Sequence, residues 1–315
     1  MNPFASLFGA GVRTRNFLYD HGALPVHRLS AATVSVGNLS VGGSGKTPFV
    51  ILLGELLKAR DIRFDILSRG YGRQTKGVAI VDPGGSPRDF GDEPLLMARR
   101  LGVPVVVGED RYRAGIIAEK RFSAEIHILD DGFQHRGLAR DFDIVLVTPD
   151  DARDRLLPAG RLRELPSALR RADAVVLTSG ANPAVFPVDG KLVWRVRRGI
   201  LPDKVPSKPV VFCGIARPQN FLAQLRTAGV EVAAEAIFRD HHAYTEGDVR
   251  DLLHLRDTSE ADGFVTTEKD AINLEGYYSS LQPMAVVPVK MDLVEAAAAI
   301  EAMLRTIEER RRRPA

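Results

Sequence analysis

A strand, a glycine-rich loop and a helix follow one another near the N-terminus, and this succession constrains the fold more than any other feature. The β-branched run Thr33-Val34-Ser35-Val36 predicts the strand. The loop places small residues before a lysine and a threonine, in the order Gly42-Gly43-Ser44-Gly45-Lys46-Thr47. Glycines let backbone N–H groups turn inward around phosphate oxygens, and the N-terminus of a helix adds a favourable dipole. The segment therefore predicts a phosphate-binding loop.

Backbone and side chains of this loop are both expected to contact a nucleotide. Lys46 would reach the β- and γ-phosphates, and the hydroxyl of Thr47 would hold Mg²⁺. Ser40 stands where the general pattern has its first glycine, so the loop departs from that pattern at one position. The expected nucleotide-binding residues are Ser40, Val41, Gly42, Gly43, Ser44, Gly45, Lys46 and Thr47.

Two other classes of nucleotide-binding protein are disfavoured by particular positions. Partitioning ATPases with a deviant loop carry an extra lysine at the position where this chain has Val41. GTPases read guanine with an Asn/Thr-Lys-x-Asp motif, whereas Thr267-Glu268-Lys269-Asp270 has a different spacing. We therefore expect the nucleotide to be ATP.

An apolar strand that ends in two carboxylates predicts a metal site beside the loop. The run Ile126-His127-Ile128-Leu129 precedes Asp130 and Asp131 and has the form of a Walker B strand. A carboxylate in this position contacts Mg²⁺ directly or through water. An ordinary Asp-Gly turn is the alternative. The expected metal ligands are Thr47, Asp130 and Asp131, and the sequence leaves open which of the two carboxylates touches the ion.

Short β-branched runs alternate with helical patterns along the first half of the chain. This alternation is typical of βαβ units, which build a mostly parallel sheet with helices on both faces. The expected fold class is α/β, a P-loop NTPase-like sheet with a second, smaller α/β domain. The expected divisions are an N-terminal segment, a kinase core, the smaller domain and a C-terminal helix with a basic tail, at residues 1–28, 29–160, 161–290 and 291–315. Strands of the second unit are expected at residues 174–177, 191–196, 210–213, 230–234 and 264–266.

The charge of the chain is concentrated at its two ends. The net charge is +3, yet residues 29–304 together are slightly acidic. This distribution excludes a dedicated nucleic-acid binder, which carries a basic stripe through its body. The single cysteine, Cys213, excludes an internal disulfide framework and a cysteine-based zinc cluster. It lies in an apolar run, which favours a buried thiol, and its isolation favours a reducing, cytoplasmic compartment.

The first 28 residues combine aromatic, apolar and basic side chains, which predicts a mildly amphipathic helix. Such a helix can lie in a membrane interface or pack on its own domain, and the sequence leaves both possibilities open. No run is long and apolar enough to span a bilayer. The C-terminal run Arg310-Arg311-Arg312-Arg313 is either a lipid contact or a solvated tail.

Several polar residues follow strands or precede helices, where ligands bind in open α/β sheets. Asp92 opens a predicted helix and is either a functional carboxylate or an N-cap. The triplet Asp240-His241-His242 lies in a loop. Its histidine pair has no third zinc ligand nearby in the sequence, which disfavours zinc. Arg69, Arg111 and Arg163 could each clamp an anionic substrate, although an isolated arginine is more often a solvated surface residue.

The order of these motifs resembles the tetraacyldisaccharide 4′-kinase family, the lipid A pathway enzymes of Gram-negative bacteria. The resemblance covers nearly the whole chain, and it includes the departure from the general loop pattern at Ser40. The motifs that carry it are Ser35 to Pro48, Leu67 to Gly72, Gly91 to Pro94, Glu109 to Tyr112, Leu129 to His135, Leu156 to Glu164, Gly214 to Pro218, Asp240 to His242 and Thr266 to Asp270.

The resemblance implies transfer of the γ-phosphate of ATP, with Mg²⁺, to the 4′-hydroxyl of an acylated glucosamine disaccharide 1-phosphate. It implies a peripheral protein on the cytoplasmic face of the inner membrane, and nothing in the sequence indicates an obligate protein partner. It also implies that Asp92 is the base and that His241 is the partner of that base, although His242 competes for the last role. Together with Lys46 of the phosphate-binding loop, these are the expected catalytic residues. Candidate substrate contacts are Arg69, Tyr71, Arg111, His135, Arg163 and Glu164.

Two rivals from other classes stay open at this stage. A membrane-associated P-loop nucleotide switch or ATPase would hydrolyse nucleotide without phosphorylating a lipid. A small-metabolite kinase would use soluble acceptors. In the favoured hypothesis Asp92 and His241 belong to different domains, so closure of the domains would assemble the site.

Overall fold

Residues 3–312, the part of the chain that this computed structural model describes, form nine α-helices and thirteen strands. The helices are α1 (Pro3–Asp20), α2 (Lys46–Lys58), α3 (Pro87–Phe90), α4 (Asp92–Leu101), α5 (Arg111–Arg121), α6 (Pro218–Thr227), α7 (Glu246–Thr258), α8 (Glu268–Asn273) and α9 (Ala296–Arg312). The strands are β1 (Ala32–Asn38), β2 (Phe64–Ser68), β3 (Ala79–Ile80), β4 (Val105–Val107), β5 (Ile126–Asp130), β6 (Phe142–Val147), β7 (Ala174–Leu177), β8 (Leu192–Ile200), β9 (Pro209–Cys213), β10 (Ala234–Ile237), β11 (Gly263–Thr267), β12 (Met284–Val287) and β13 (Val289–Leu293).

Nine of the strands form one large sheet in the order β13-β8-β7-β6-β1-β5-β2-β4-β3. Only the edge strands β13 and β3 run antiparallel to their neighbours among the described residues. The central strand β1 pairs in parallel with β5 and with β6, and Val36 lies opposite Asp130 and Ile144. The loop after β1 and the carboxylates after β5 therefore meet at one edge of the sheet. The predicted α/β class is confirmed.

The central strands are apolar because both faces of the sheet are covered. All residues of β1, β5 and β6 are buried. Helix α2 packs on this sheet through Phe49, Leu53 and Leu57, which are almost fully buried. Pro48 lies in the first turn of α2, where a missing N–H group costs no helical hydrogen bond.

The remaining four strands form a second, parallel sheet in the order β10-β9-β11-β12. The prediction that β7 and β8 belong to this smaller sheet is wrong, because β7 pairs in parallel with β6 of the large sheet. The chain then returns to the large sheet through β13, and α9 packs on it through Ile300 and Met303. The predicted division at residues 161–290 therefore does not follow the sheets.

One side of helix α1 packs against the part of the protein that contains the large sheet. A Cβ at Gly9 would come within 2.8 Å of the Leu156 side chain, and Nδ2 of Asn16 donates to Glu164 Oε2 at 2.6 Å. The opposite side leaves Leu7 and Phe17 exposed. The helix thus packs on its own domain and also presents apolar side chains. Within residues 3–312, none of the helices combines the length and the hydropathy that crossing a membrane requires.

The C-terminal arginines that the structure describes make specific contacts. Both terminal nitrogens of Arg310 donate to Asp173, at 2.9 and 2.6 Å. Arg311 donates to the backbone carbonyls of Ser30 and Ala31, and Arg312 pairs with Glu308 on the same helix. Arg310 and Arg311 therefore tie α9 to the large sheet. Arg313 lies outside the described residues.

Candidate active site

The loop after β1 is shaped by its glycines and by one buried side chain. Gly42, Gly43 and Gly45 have φ values of 74°, 52° and 87°, a region that favours glycine. Nδ2 of Asn38 donates to Ser40 O and to Ser44 Oγ, each at 2.7 Å. These contacts fold the loop back over the end of β1, so that α2 begins directly at the phosphate-binding position.

Lys46 is held by the same asparagine. Its Nζ donates to Asn38 Oδ1 at 3.1 Å and lies 3.6 Å from Asp131 Oδ1. Arg163 donates to both carboxylate oxygens of Asp131, at 2.8 and 2.7 Å, and also to Asn38 Oδ1. Loss of solvation raises the pKa of Asp131, but the charges of Lys46, Arg163 and Arg111 outweigh it and hold that pKa well below its usual range. Asp131 is therefore an ionised partner of cations.

Asp130 has a different environment, although it is the adjacent residue. It is 3% exposed, its Oδ2 accepts from Ser68 Oγ at 2.8 Å, and its Oδ1 is buried without a hydrogen-bond partner. Burial, together with the negative charges of Glu93 and Asp131, raises the pKa of Asp130 to about 7. A buried and unpartnered carboxylate oxygen at the end of β5 fits a cation ligand.

The residues present fit Mg²⁺ better than a transition metal. Thr47 and Asp130 line the same cavity and offer oxygen ligands, which Mg²⁺ prefers. In the part of the chain that the structure describes, no group of three or more His, Cys, Asp or Glu side chains could hold a metal. Mg²⁺ needs no such cage, because it retains waters and binds substrate phosphates.

The second polar centre is built around Asp92 at the first position of α4. Gly91 precedes it as the N-cap with a φ of 91°, and a Cβ there would come within 2.8 Å of Tyr71 O. Asp92 is therefore not the N-cap of the helix. Nδ1 of His241 lies 2.8 and 3.1 Å from the two carboxylate oxygens of Asp92, and Asn273 Nδ2 donates at 3.3 Å.

Burial raises the pKa of Asp92, but the hydrogen bond from His241 and the charge of Lys269 outweigh it, so that pKa lies below its usual value. Burial lowers the pKa of His241, but the hydrogen bond and charge of Asp92 outweigh it and leave that pKa raised. Asp92 is only 5% exposed. An ionised carboxylate is thus held by a histidine from the other sheet.

The two adjacent histidines point to different partners. The backbone of His241 has a φ of 58°, which turns its ring toward Asp92. The ring of His242 stacks on Phe238 at a centroid distance of 4.7 Å, and its Nε2 contacts Asp248 Oδ2 at 3.1 Å. The geometry therefore brings His241, and not His242, to Asp92.

A buried aspartate fixes the loop that carries His241. Oδ1 of Asp270 accepts from Gly214 N at 2.7 Å and from the Tyr244 hydroxyl at 2.9 Å. The backbone N–H of His241 donates to Gly214 O at 3.2 Å. A Cβ at Gly214 would lie 2.8 Å from Arg239 O, so the close approach of these two loops requires glycine.

A cavity of about 700 Å³ joins the two polar centres. It lies between strand ends of the large sheet, β1, β2 and β5, and strand ends of the smaller sheet, β9, β10 and β11. Its walls include most of the phosphate-binding loop and the carboxylates of Asp130 and Asp131 at the end of β5. From the smaller-sheet part they include Arg217, Asp240, His241 and Lys269. The cavity is the place where a nucleotide and an acceptor could meet.

The predicted substrate contacts separate into two groups. Arg69, Tyr71 and Arg163 line the cavity. Within residues 3–312 its wall does not include five other predicted site residues, namely Ser40, Asp92, Arg111, His135 and Glu164.

Three of those five, Arg111, His135 and Glu164, lie within the part of the protein that contains the large sheet. The guanidinium of Arg111 donates to the carbonyls of Gly108 and Glu109. Burial, with the positive charges of Arg111 and Arg140, lowers the pKa of His135 to about 4. Glu164 is 1% exposed and accepts from three side chains, those of Asn16, Gln134 and Arg171.

Comparison with known proteins then decides the family. A family model described as tetraacyldisaccharide-1-P 4′-kinase matches residues 1–308. The chain belongs to this family. It is 50% identical to a tetraacyldisaccharide 4′-kinase of Koribacter versatilis, over 98% of this chain and 99% of that protein. A relative of the same name from Aquifex aeolicus is 42% identical over 87% of this chain and 89% of its own length.

The fold is also similar to a solved member of the tetraacyldisaccharide-1-P 4′-kinase family. A crystal structure of LpxK from Aquifex aeolicus in complex with ATP aligns with a TM-score of 0.79 and 37% identity. The alignment covers 97% of this chain and 98% of that one. The resemblance inferred from the order of the motifs is confirmed.

In this member of the tetraacyldisaccharide-1-P 4′-kinase family, sequence reasoning missed two residues of the site. Asn38 holds the phosphate-binding loop, and Lys269 contacts the Asp92–His241 pair. Asn38 is the last residue of β1, and Lys269 follows the end of β11 by two residues. A position at or just beyond a strand end is the signal that could have found both residues, because ligands bind at this edge of an open α/β sheet.

Proposed function

We propose that this chain transfers the γ-phosphate of ATP to the 4′-hydroxyl of a tetraacyldisaccharide 1-phosphate, giving lipid IVA in lipid A biosynthesis. Its family and relatives make it an ATP-dependent kinase, and the nucleotide-switch alternative is not favoured. One observation supports the proposal at the level of the site: the phosphate-binding loop and His241, the partner of Asp92, line one cavity.

The loop binds and orients the phosphates of ATP. Its backbone N–H groups and Lys46 contact the β- and γ-phosphate oxygens, and Asn38 keeps Lys46 aimed at them. Thr47 and Asp130 would hold Mg²⁺, which supplies charge neutralisation on the phosphates when it is bound. Arg163 and Asp131 form an ion pair beside Lys46, and Asp131 helps to hold the lysine at the loop.

Asp92 accepts the proton of the 4′-hydroxyl. As that proton moves to Asp92, the 4′-oxygen forms a bond to the γ-phosphorus, and the bond between the γ-phosphorus and the bridging oxygen of ADP breaks. His241 orients the carboxylate and keeps it ionised. General-base assistance of this kind contributes about 10²–10⁴-fold to the rate.

The acceptor reaches Asp92 when the two sheets separate slightly. Two ion pairs cross this boundary, Arg100 with Glu268 at 2.6 Å and Arg217 with Asp150 at 3.2 Å, and Ile272 of α8 packs into the apolar core of the large-sheet part. Solvent-accessible ion pairs contribute little net free energy, so the apolar contact of Ile272 is the main interaction that opening must loosen. We propose that closure then assembles the base beside the γ-phosphate, as in other enzymes that exclude water by domain movement.

The anionic acceptor is met by the basic and aromatic side chains of the cavity. Arg69, Tyr71 and Arg163 line it and are the proposed contacts for the sugar and for phosphate oxygens. Arg111 and Glu164 act as supports for the loops after β4 and β6, because their side-chain hydrogen bonds are internal to the domain. His135 lies in the loop after β5 and outside the cavity wall.

We propose that α1 places the enzyme on the cytoplasmic face of the inner membrane as a peripheral protein. The support is its exposed apolar side, where Leu7 is 73% and Phe17 is 58% exposed. Substitution of both by aspartate should abolish binding to vesicles of anionic phospholipid and leave the fold intact, because the packed side uses Gly9 and Asn16. The matched control is Val185→Asp, at an apolar residue that is 52% exposed elsewhere. Equal vesicle binding by both variants would contradict this placement.

The activity itself is tested by one assay. The protein is incubated with γ-labelled ATP, Mg²⁺ and tetraacyldisaccharide 1-phosphate in detergent, and label is sought in the lipid. Label in the lipid is expected. Release of labelled inorganic phosphate without labelled lipid would support the nucleotide switch instead, and transfer to a soluble sugar with equal efficiency would support a metabolite kinase.

A further inference from the structure

Lys269 is the second residue of α8, and its ammonium group points into the site and not into solvent. Its side chain is 15% exposed. Thr267 caps the helix by accepting from Asp270 N at 3.2 Å, and the Asp270 carboxylate anchors the helix to Gly214 and Tyr244. The backbone at Lys269 is therefore fixed by buried contacts that do not involve its own side chain.

The ammonium of Lys269 faces three groups of the site. Its Nζ donates to Asp240 Oδ1 at 2.8 Å and to His241 Nε2 at 3.1 Å, and it lies 3.8 Å from Asp92 Oδ2. Burial lowers the pKa of Lys269, but the charges of Asp92, Glu93 and Asp240 outweigh it and leave that pKa raised. The ammonium thus stays protonated and can only donate.

A lysine ammonium has no acceptor, so the His241 nitrogen beside it must be the unprotonated one. The single ring proton of neutral His241 is then on Nδ1, the atom that lies 2.8 Å from Asp92 Oδ2. Which tautomer a histidine adopts is set by the hydrogen bond that its other nitrogen makes. Contact with Lys269 therefore selects the tautomer that donates to Asp92.

We propose that Lys269 is a positioning residue for phosphoryl transfer: it holds His241 in the Nδ1–H tautomer and so fixes the ring against Asp92. The inference rests on the proposed role of Asp92 as the base. Lys269 acts through His241 and needs no direct contact with the acceptor.

Loss of the Lys269 charge should also move the pH at which the site becomes active. Asp92 is faced by His241, Lys269, Asn273 and the adjacent Glu93. His241 is faced by Asp92, Lys269, Asp240 and Tyr71.

The Lys269 charge lowers the pKa of both Asp92 and His241. Without it both groups hold their protons to higher pH, so the acidic limb of the kcat profile should rise by about one pH unit. A variant that only loosened the fold would lower the whole profile without moving this limb.

The test compares Lys269→Met with Lys269→Arg, which keeps the charge, and with Lys120→Met, a matched change at an exposed residue of α5. Proton–nitrogen NMR spectra of the histidine side chains report each tautomer directly. The His241 signals are assigned by their absence in His241→Ala, since the chain has seven histidines. We expect the Nδ1–H tautomer in the wild type, in Lys269→Arg and in Lys120→Met, and a changed or doubly protonated ring in Lys269→Met.

The kinetic arm measures rate and pH dependence. Lys269→Met should lower kcat by roughly tenfold to a hundredfold, with the KM for ATP changed by no more than about twofold. Lys269→Arg should recover most of kcat. An unchanged His241 tautomer in Lys269→Met, or an acidic limb that does not move, would overturn the proposal.

A separate variant tests the proposed function on which this inference rests. If Asp92→Asn retained full transfer, the assignment of Asp92 as the base would be wrong. The NMR spectra would still show independently whether Lys269 sets the tautomer of His241.

Discussion

Replacing Asn38 with alanine tests whether a single buried side chain holds the phosphate-binding loop. Asn38 is fully buried at the end of β1. Its Nδ2 makes two hydrogen bonds of 2.7 Å within the loop, and its Oδ1 accepts from Lys46 and from Arg163. The substitution removes all four interactions and leaves the rest of the sequence unchanged.

The magnitude follows from those contacts. The two neutral hydrogen bonds contribute about 1 kcal/mol each, and hydrogen bonds to charged groups about 1.5–3 kcal/mol each. Lys46 and Arg163 both keep Asp131 as a neighbour, which recovers part of the charged contribution. We therefore expect the free energy of unfolding to fall by about 2–4 kcal/mol. Misplacement of Lys46 should lower kcat/KM for ATP by roughly a hundredfold, or about 2.7 kcal/mol.

Two measurements separate these effects. Urea denaturation gives the free energy of unfolding, and calorimetric titration with a non-hydrolysable ATP analogue gives the affinity of the folded protein. Asn182→Ala is the matched control, because Asn182 is exposed, lies outside the phosphate-binding loop and caps a turn by accepting one hydrogen bond from Ala184 N. If folded Asn38→Ala bound the analogue within about twofold of the wild-type Kd, the role assigned to Asn38 would be refuted.

Further predictions concern the histidines. His241→Ala should lose roughly a hundredfold or more in kcat, whereas His242→Ala should stay within about threefold, as steady-state rates on folded protein would show; equal losses would contradict the pairing with Asp92. A third histidine, His127, is buried with its Nδ1 2.6 Å from Asp65. Burial lowers its pKa, but Asp65 and Glu119 outweigh this and leave the pKa raised. A raised folded-state pKa stabilises the protein below about pH 6.5 and loses that contribution as pH rises through the folded value. Burial raises the pKa of Asp65, which acts in the same direction. The destabilisation of His127→Gln in urea should therefore be larger below pH 6.5 than well above it, and a pH-independent difference would refute the pairing.

The local sequence was sufficient to predict the phosphate-binding loop and the pair of carboxylates at the end of β5. Both depend on a strand followed directly by its loop, and these elements are contiguous in the chain. The choice between Asp130 and Asp131 was not available, because both follow the same strand. The proposal of Asp130 depends on Arg163, which is remote in sequence and occupies Asp131 with two hydrogen bonds, whereas Oδ1 of Asp130 has no hydrogen-bond partner.

The local sequence pattern also could not predict to which of the two sheets a strand belongs. Nothing in the sequences of β7 and β8 indicates that β7 pairs with β6 and that β8 follows it in the large sheet. The local sequence also could not show that Glu164 lies outside the cavity wall, since its carboxylate is held by partners such as Asn16 that lie far away in the chain. The role of Lys269 was not predicted because its partners come from the loop after β10 and from the start of α4, both remote in the sequence.

The most direct test of the central assignment is transfer of label from γ-labelled ATP to tetraacyldisaccharide 1-phosphate by the wild type and by Asp92→Asn, measured in parallel with ATP-analogue binding. We expect labelled lipid with the wild type. For Asp92→Asn we expect analogue affinity within about twofold of wild type and a rate of transfer lower by roughly 10²-fold or more. Undiminished transfer by Asp92→Asn would contradict the assignment of Asp92 as the base, and the absence of labelled lipid with ATP-binding wild type would contradict the proposed reaction.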